Sequence, residues 1–131
     1  MDATAQKRIL IVEDEEKIAK LLAAELARAG YAVHTEWYGQ AALDYAAEHE
    51  LDLVLLDLRL PDMSGYTVCK ELRKRFHAWA LPILMVTAMG QPIDQLRGFA
   101  HGADAYLTKP YEPTELLRTI SILLDEMAPS S

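Results

Sequence analysis

The stretch "LVLLDLRL", Leu53 to Leu60, decides the fold. Its first four residues are apolar without a break, and an acid, Asp57, follows directly. A strand with one face in water alternates apolar and polar residues. A run apolar at every position needs cover on both faces, as in a parallel sheet flanked by helices. The same run poses a chemical problem, because an ionised carboxylate is costly to bury unless something pairs with it. Either the strand ends at a surface where Asp57 begins, or Asp57 has a partner.

Outward from this run, short β-rich segments alternate with helical patterns. "RILIVE" (8–13) is a compact apolar run, and 15–29 follows with Ile18, Leu21, Leu22 and Leu26 spaced as one helical face. Gly30 stops that helix. "YAVHTE" (31–36) alternates like a half-buried strand, and an Ala-rich helix runs from about Gly39 to His49. After the third strand (51–57), "LPDMSG" (60–65) is turn chemistry, and a third helix carries Val68, Cys69, Leu72 and Phe76 on one face. "LPILMVT" (81–87) is a fourth strand with Pro82 at its start. A weaker fourth helix opens near Pro92, with Ile93, Leu96 and Ala100 expected inward. "ADAYLT" (103–108) is a short fifth strand. Pro113 then suits the first position of a last helix whose face is Leu116, Leu117, Ile120, Leu123 and Leu124. Strict alternation of strand and helix implies a doubly wound α/β sheet with right-handed crossovers. The 131 residues fit a single domain, expected over 7–127 with tails at 1–6 and 128–131, and no linker divides it.

A formal net charge of −7 argues against direct binding to nucleic acid or to an anionic membrane. The single Cys69 excludes an internal disulfide framework and reads as a small packing residue in a reducing compartment. "MDATAQKR" lacks the apolar core of a signal peptide, and no run approaches the ~18 apolar residues of a membrane span. The expected location is cytoplasmic. His34, His49, His77 and His101 are scattered without ligand spacing, and Trp37 and Trp79 join no basic stripe.

In open α/β sheets, ligands sit outside the carboxyl ends of the strands. Glu13 and Asp14 follow the first strand, Asp57 ends the third, Thr87 ends the fourth and Lys109 follows the fifth. Each is ordinary alone; an acidic pair is usually a solvated loop, and a strand-end Thr is usually structural. Their joint placement on one rim carries the chemistry. Three crowded carboxylates repel, and a hard dication relieves the repulsion. Mg²⁺ prefers oxygen ligands and uses one or two protein carboxylates together with water. Asp14 and Asp57 are the natural ligands, Glu13 holds a coordinated water, and Lys109 supplies a charge for an anion. The set suits a phosphoryl group bridged to Mg²⁺, with Asp57 as nucleophile.

"ILIVEDEE", "LVLLDLRLPDMSG", "LMVTA" and "GADAYLTKPY" together resemble the receiver domain of two-component response regulators, over about Arg8 to Glu126. The resemblance implies a flavodoxin-like (βα)₅ fold with strand order 2-1-3-4-5. It implies that Asp57 is the phosphoacceptor and that Mg²⁺ (or Mn²⁺ in its place) is held by Asp14, Asp57 and the Arg59 backbone carbonyl, with Glu13 acting through water. Many members have Asp where this chain has Glu13. Lys109, the Thr87 hydroxyl and the amides of Ala88 and Arg59 would bind the phosphoryl oxygens. Thr87 and Tyr106 would form a switch acting on the face of the fourth helix, fifth strand and fifth helix, and Lys109-Pro110 would be a cis peptide. Arg59 and Met89, two positions past Asp57 and Thr87, are expected to tune the lifetime of the acyl phosphate.

The implied partners are a sensor histidine kinase or histidine phosphotransfer protein, then a downstream target or an output domain that this sequence lacks. The implied role is a phosphoacceptor that assists its own phosphorylation and dephosphorylation, not an enzyme. A phosphorylation-dependent homodimer is a further expectation, but winged-helix relatives carry a second acid where this chain has Ala105, so one cross-link of their symmetric dimer is missing. Three alternatives make different demands. An aspartyl phosphatase wants a second acid two residues after its nucleophile, where Arg59 stands. A phosphorylation-independent pseudo-receiver should have lost one of Asp14, Asp57, Thr87 or Lys109. A dinucleotide-binding domain wants a glycine-rich turn where Glu13 and Asp14 stand.

Overall fold

The computed structural model describes residues 6–124. The outer parts of the expected limits, at residues 1–5 and 125–131, lie outside the described residues. Strand and helix alternate as β1 (Arg8–Val12), α1 (Glu16–Arg28), β2 (Ala32–Glu36), α2 (Gly39–Glu48), β3 (Leu53–Leu56), α3 (Gly65–Arg75), β4 (Ile83–Thr87), α4 (Pro92–Ala100), β5 (Ala105–Thr108) and α5 (Pro113–Leu123). The strands pair in parallel in the order β2-β1-β3-β4-β5, as expected.

β3 lies at the centre, and its four residues are no more than 1% exposed. Side chains alternate faces along a strand, so an unbroken apolar run feeds two cores. Leu53 and Leu55 join Ile9, Ile11, Leu84 and Val86 against α1 and α5. Val54 and Leu56 join Leu10, Val12, Ile83 and Met85 against α2 and α3. Helix ends follow local chemistry. Gly30 takes the positive φ of 102° after α1, and the Ser64 hydroxyl accepts the Tyr66 N–H at the start of α3. α2 is capped from a distance. The Gly39 and Gln40 amides donate to the two carboxylate oxygens of Asp62 at 2.8 and 3.0 Å, which the turn signal "LPDMSG" did not reveal.

Three packing expectations are corrected. In α4 the inward residues are Asp94 and Gly98, while Ile93, Leu96 and Ala100 are exposed. The reason is close approach: a Cβ on Gly98 would stand 2.9 Å from Met85 Sδ and 3.1 Å from the Tyr106 ring. The glycine side of the helix therefore fits against the sheet better than the apolar side. In α1 the buried residues are Ala19, Leu22 and Leu26, and Leu21, about 100° round the helix from Leu22, is 58% exposed. All five residues of β2 are half-buried without alternation, because β2 is an edge strand only partly covered on each face.

Candidate functional site

The strand pairing continues past the strand ends and fixes Asp57 and Lys109. The Asp57 N–H donates to Val12 O at 3.1 Å, and the Lys109 N–H donates to Thr87 O at 2.8 Å. The chain after Asp57 then folds back on itself. The Gly65 N–H donates to Leu58 O at 2.8 Å, and Arg59 bridges to Ser64. A Cβ on Gly65 would lie 2.3 Å from Asp57 O and 2.8 Å from Leu58 Cα, so only glycine permits this backbone approach.

Lys109 Nζ lies between two carboxylates, 2.7 Å from Asp57 Oδ2 and 2.6 Å from Glu13 Oε1. The second oxygen of each acid is also engaged. Asp57 Oδ1 accepts the Arg59 N–H at 3.1 Å, and Glu13 Oε2 accepts the Glu15 N–H at 3.1 Å. One ammonium thus serves two acids, and burial separates them. Burial pushes Glu13 up to about 7, with the Asp57 charge adding to it, and the Lys109 and Glu15 hydrogen bonds recover only part. Burial also opposes ionisation of Asp57, but there the Lys109 ammonium and the Arg59 amide outweigh it and hold the carboxyl below its ordinary value. Lys109 would be lowered by burial, yet its bonds to Asp57 and Glu13 raise it. Asp57 is therefore the acid that keeps its negative charge, which is what a nucleophile requires.

Asp57 opens into a cleft of about 510 Å³ lined by Asp14, Glu15, Ile18, Arg59, Thr87, Ala88, Lys109 and Pro110. The peptide between Lys109 and Pro110 is cis. Thr87 is fully buried and its hydroxyl accepts the Met89 N–H at 3.3 Å, while the Tyr106 hydroxyl donates to Met89 O. Thr87 and Tyr106 are thus joined through a single loop residue. The strand ends do not bring all three acids to one point. Glu13 is 2% exposed and turned onto Lys109, whereas Asp14 is exposed. Among the described residues, no three His, Cys, Asp or Glu side chains converge on one metal-sized position. A Mg²⁺ ion does not need three. The cleft is lined by the carboxylates of Asp14, Glu15 and Asp57, and Asp14 and Asp57 beside Arg59 make an oxygen set that fits a cation keeping several waters.

The sequence did not reveal Arg73. Its guanidinium donates to Gly102 O at 2.8 Å and to Leu81 O at 2.7 Å, and it pairs with Asp104 at 2.5 Å. Asp104, the acid of "GAD", also accepts the Ile83 N–H at 2.8 Å. The available signal was position: Cys69, Leu72, Arg73 and Phe76 share the inward side of α3, where an Arg needs partners.

The family model of the response regulator receiver domain matches residues 9–121. The chain belongs to the response regulator receiver domain family. This receiver domain is 41% identical over 117 residues to the response regulator ArlR of Staphylococcus aureus, covering 89% of this chain and 52% of that one. It thus spans about half the length of the curated relatives it matches. Among solved structures it resembles a CheY-like receiver domain protein from Methanospirillum hungatei, with a TM-score of 0.86 and 32% identity over 93% of this chain and 96% of that one. It also resembles the BeF3-activated N-terminal receiver domain of Klebsiella pneumoniae RstA, with a TM-score of 0.85 and 31% identity over 90% and 98%. No helix among the described residues is long and apolar enough to cross a membrane.

Proposed function

We propose that this receiver domain accepts a phosphoryl group on Asp57 from a phosphohistidine of a sensor kinase or phosphotransfer protein, in the cytoplasm. The observation that carries the reading is an ionised, almost buried Asp57 paired to Lys109 at 2.7 Å at the mouth of a cleft with room for a phosphoryl group. In the transfer an Asp57 oxygen forms the new O–P bond as the donor's N–P bond breaks, and the leaving imidazole takes up a proton. Lys109 neutralises charge developing on the phosphoryl oxygens, and the Ala88 and Arg59 amides with the Thr87 hydroxyl would donate to them. Asp14, Asp57 and the Arg59 carbonyl would hold Mg²⁺ (or Mn²⁺), which supplies further charge stabilisation on those oxygens when bound. Glu13 would reach a coordinated water only after leaving Lys109, and that exchange becomes favourable once Lys109 turns to the phosphoryl group.

The acyl phosphate adds charge and acceptors beside Thr87. Recruiting the Thr87 hydroxyl withdraws it from Met89, and Met89 carries the change to Tyr106 and so to the face of α4, β5 and α5. The chain turns over no free substrate; it assists its own phosphorylation and dephosphorylation, and Arg59 and Met89 set water access to the bond. The output is a downstream protein, an output domain elsewhere in a longer chain, or a homodimer formed on phosphorylation. In the last case Asp104 is already committed to Arg73 and Ala105 offers no second acid.

The test is incubation with Mg²⁺ and acetyl phosphate, followed by intact mass. Wild type should gain one phosphoryl group and Asp57→Asn none. An unmodified wild type, or equal modification of the variant, sinks the reading and leaves the phosphorylation-independent module.

A further inference from the structure

Helix α4 is fastened in an unusual way. Its buried residues are Asp94 and Gly98, while Ile93 and Leu96 are exposed and Phe99 is only partly covered, its ring tilted against Tyr106 at 6.4 Å, so no fully buried large apolar side chain of its own anchors it. Beside that packing on the sheet, it takes three side-chain hydrogen bonds from one stripe of α3. Tyr66, Cys69 and Arg73 lie at i, i+3 and i+7, on one side of the helix. Each donates to a backbone carbonyl of α4 or of the turn that ends it. The Tyr66 hydroxyl reaches Asp94 O at 3.0 Å, the Cys69 thiol reaches His101 O at 3.3 Å, and Arg73 Nε reaches Gly102 O at 2.8 Å. The Tyr66 ring also stacks on His101, with centroids 5.0 Å apart.

The three rungs are not equal. Arg73 also holds Leu81 O and Asp104, and Cys69 is fully buried, so the C-terminal end of α4 is tied to α3, to the approach to β4 and to the start of β5. The N-terminal end has one rung from α3, the Tyr66 hydroxyl. Just before that end, Met89 is held by Thr87 through its N–H and by Tyr106 through its carbonyl. A change at Thr87 therefore arrives at the loosely held end.

We propose that α4 pivots about its C-terminal end, and that the Tyr66 hydroxyl is the latch setting how much of the population has the helix docked. Tyr66 lines no part of the cleft and acts through α4, so it is a positioning residue for the switch. The use made of the latch rests on the phosphoacceptor reading of Asp57; the latch itself belongs to the unmodified protein. The net worth of one hydrogen bond corresponds to about a five-fold change in the docked-to-undocked ratio. A state bound only when undocked gains apparent affinity by the same factor when the latch is removed.

Tyr66→Phe keeps the ring and its stack and removes only the hydroxyl. Hydrogen exchange of the unmodified full chain should show amides 94–98 exchanging about five-fold faster, with amides 101–103 and those of β1 and β3 at wild-type rates. Titration with beryllofluoride and Mg²⁺, followed by the Met89 amide shift, should reach half-response at about five-fold lower beryllofluoride. Unchanged exchange in α4 overturns the proposal, as does acceleration equal at both ends of the helix or spread through the sheet. So does an unshifted beryllofluoride midpoint. A wild type that ignores beryllofluoride defeats the phosphoacceptor reading instead, and the exchange measurement still decides the latch.

Discussion

Glu13 and Asp57 share one ammonium, yet the environment gives them opposite tendencies. Asp57 collects the Arg59 amide as well as Lys109, while Glu13 is the more deeply enclosed of the two. The pH consequence follows from the directions. A group raised in the folded state contributes stability below its ordinary value and loses it as pH rises through the raised one. For Glu13 that window runs from 4.5 to about 7. Asp57 is lowered, so its contribution is present above its ordinary value and is lost only in acid. Thermal melts in EDTA should show wild type losing stability across the Glu13 window relative to Glu13→Gln, which cannot titrate there. A pH-independent difference between the two proteins would mean that Glu13 stays ionised. At this scale strand-end position led to Glu13, Asp57 and Lys109, which the structure pairs with one another. It could not show that Glu13 turns inward and Asp14 outward, because adjacent residues at a strand end point to opposite sides and only the packed neighbours decide which side is enclosed.

Elements in this protein are held at their ends by residues distant in sequence. Asp62 caps α2, Arg73 binds the turn after α4, and Gly65 lets α3 begin against the backbone of Asp57. Asp62→Ala should cost about 1 kcal/mol, the ordinary worth of a helix cap, read as a shifted urea midpoint at neutral pH. The Gln40 amide, foremost, holds the Asp62 carboxyl below its ordinary 3.8, and the Gly39 amide adds to this against a slight effect of burial. The cap therefore persists above 3.8, and the difference between variant and wild type should shrink as pH falls below that value. An undiminished difference in acid would assign the loss to packing. α4 is the element whose sequence misled. Ile93, Leu96 and Ala100 make a fair inward face by spacing, but the opposite side carries Gly98, and the Tyr106 ring fills the notch. Spacing finds which residues share a face; it does not say which face meets the sheet.

Across the whole molecule, stability lies in the two cores on either side of β1, β3 and β4, and the rim of Glu13, Asp57 and Lys109 adds polar pairing at one end of them. Among the described residues, no buried polar side-chain atom lacks a partner. Leu55, 1% exposed in the central strand, and Leu21, 58% exposed on α1, test this division. Leu55→Ala should cost about 3 kcal/mol in chemical denaturation, as transfer and cavity terms add. Leu21→Ala should stay within about 0.5 kcal/mol, as surface changes do. Similar losses at both positions would contradict the two-core description.

The parallel sheet with helices on both faces and the rim holding Asp57, Thr87 and Lys109 were determined by the sequence alone. Apolar periodicity reports which backbone is covered, and right-handed crossovers leave few ways to connect it. The strand order 2-1-3-4-5 came from motif resemblance, which carries a family's history as well as its physics. What only the tertiary structure decided is partnership: that Lys109 serves both Glu13 and Asp57, where Arg73 places its donors, and which side of α4 lies against Tyr106. Those outcomes depend on distances of a few ångströms between segments far apart in the chain, and no local pattern of residues encodes them.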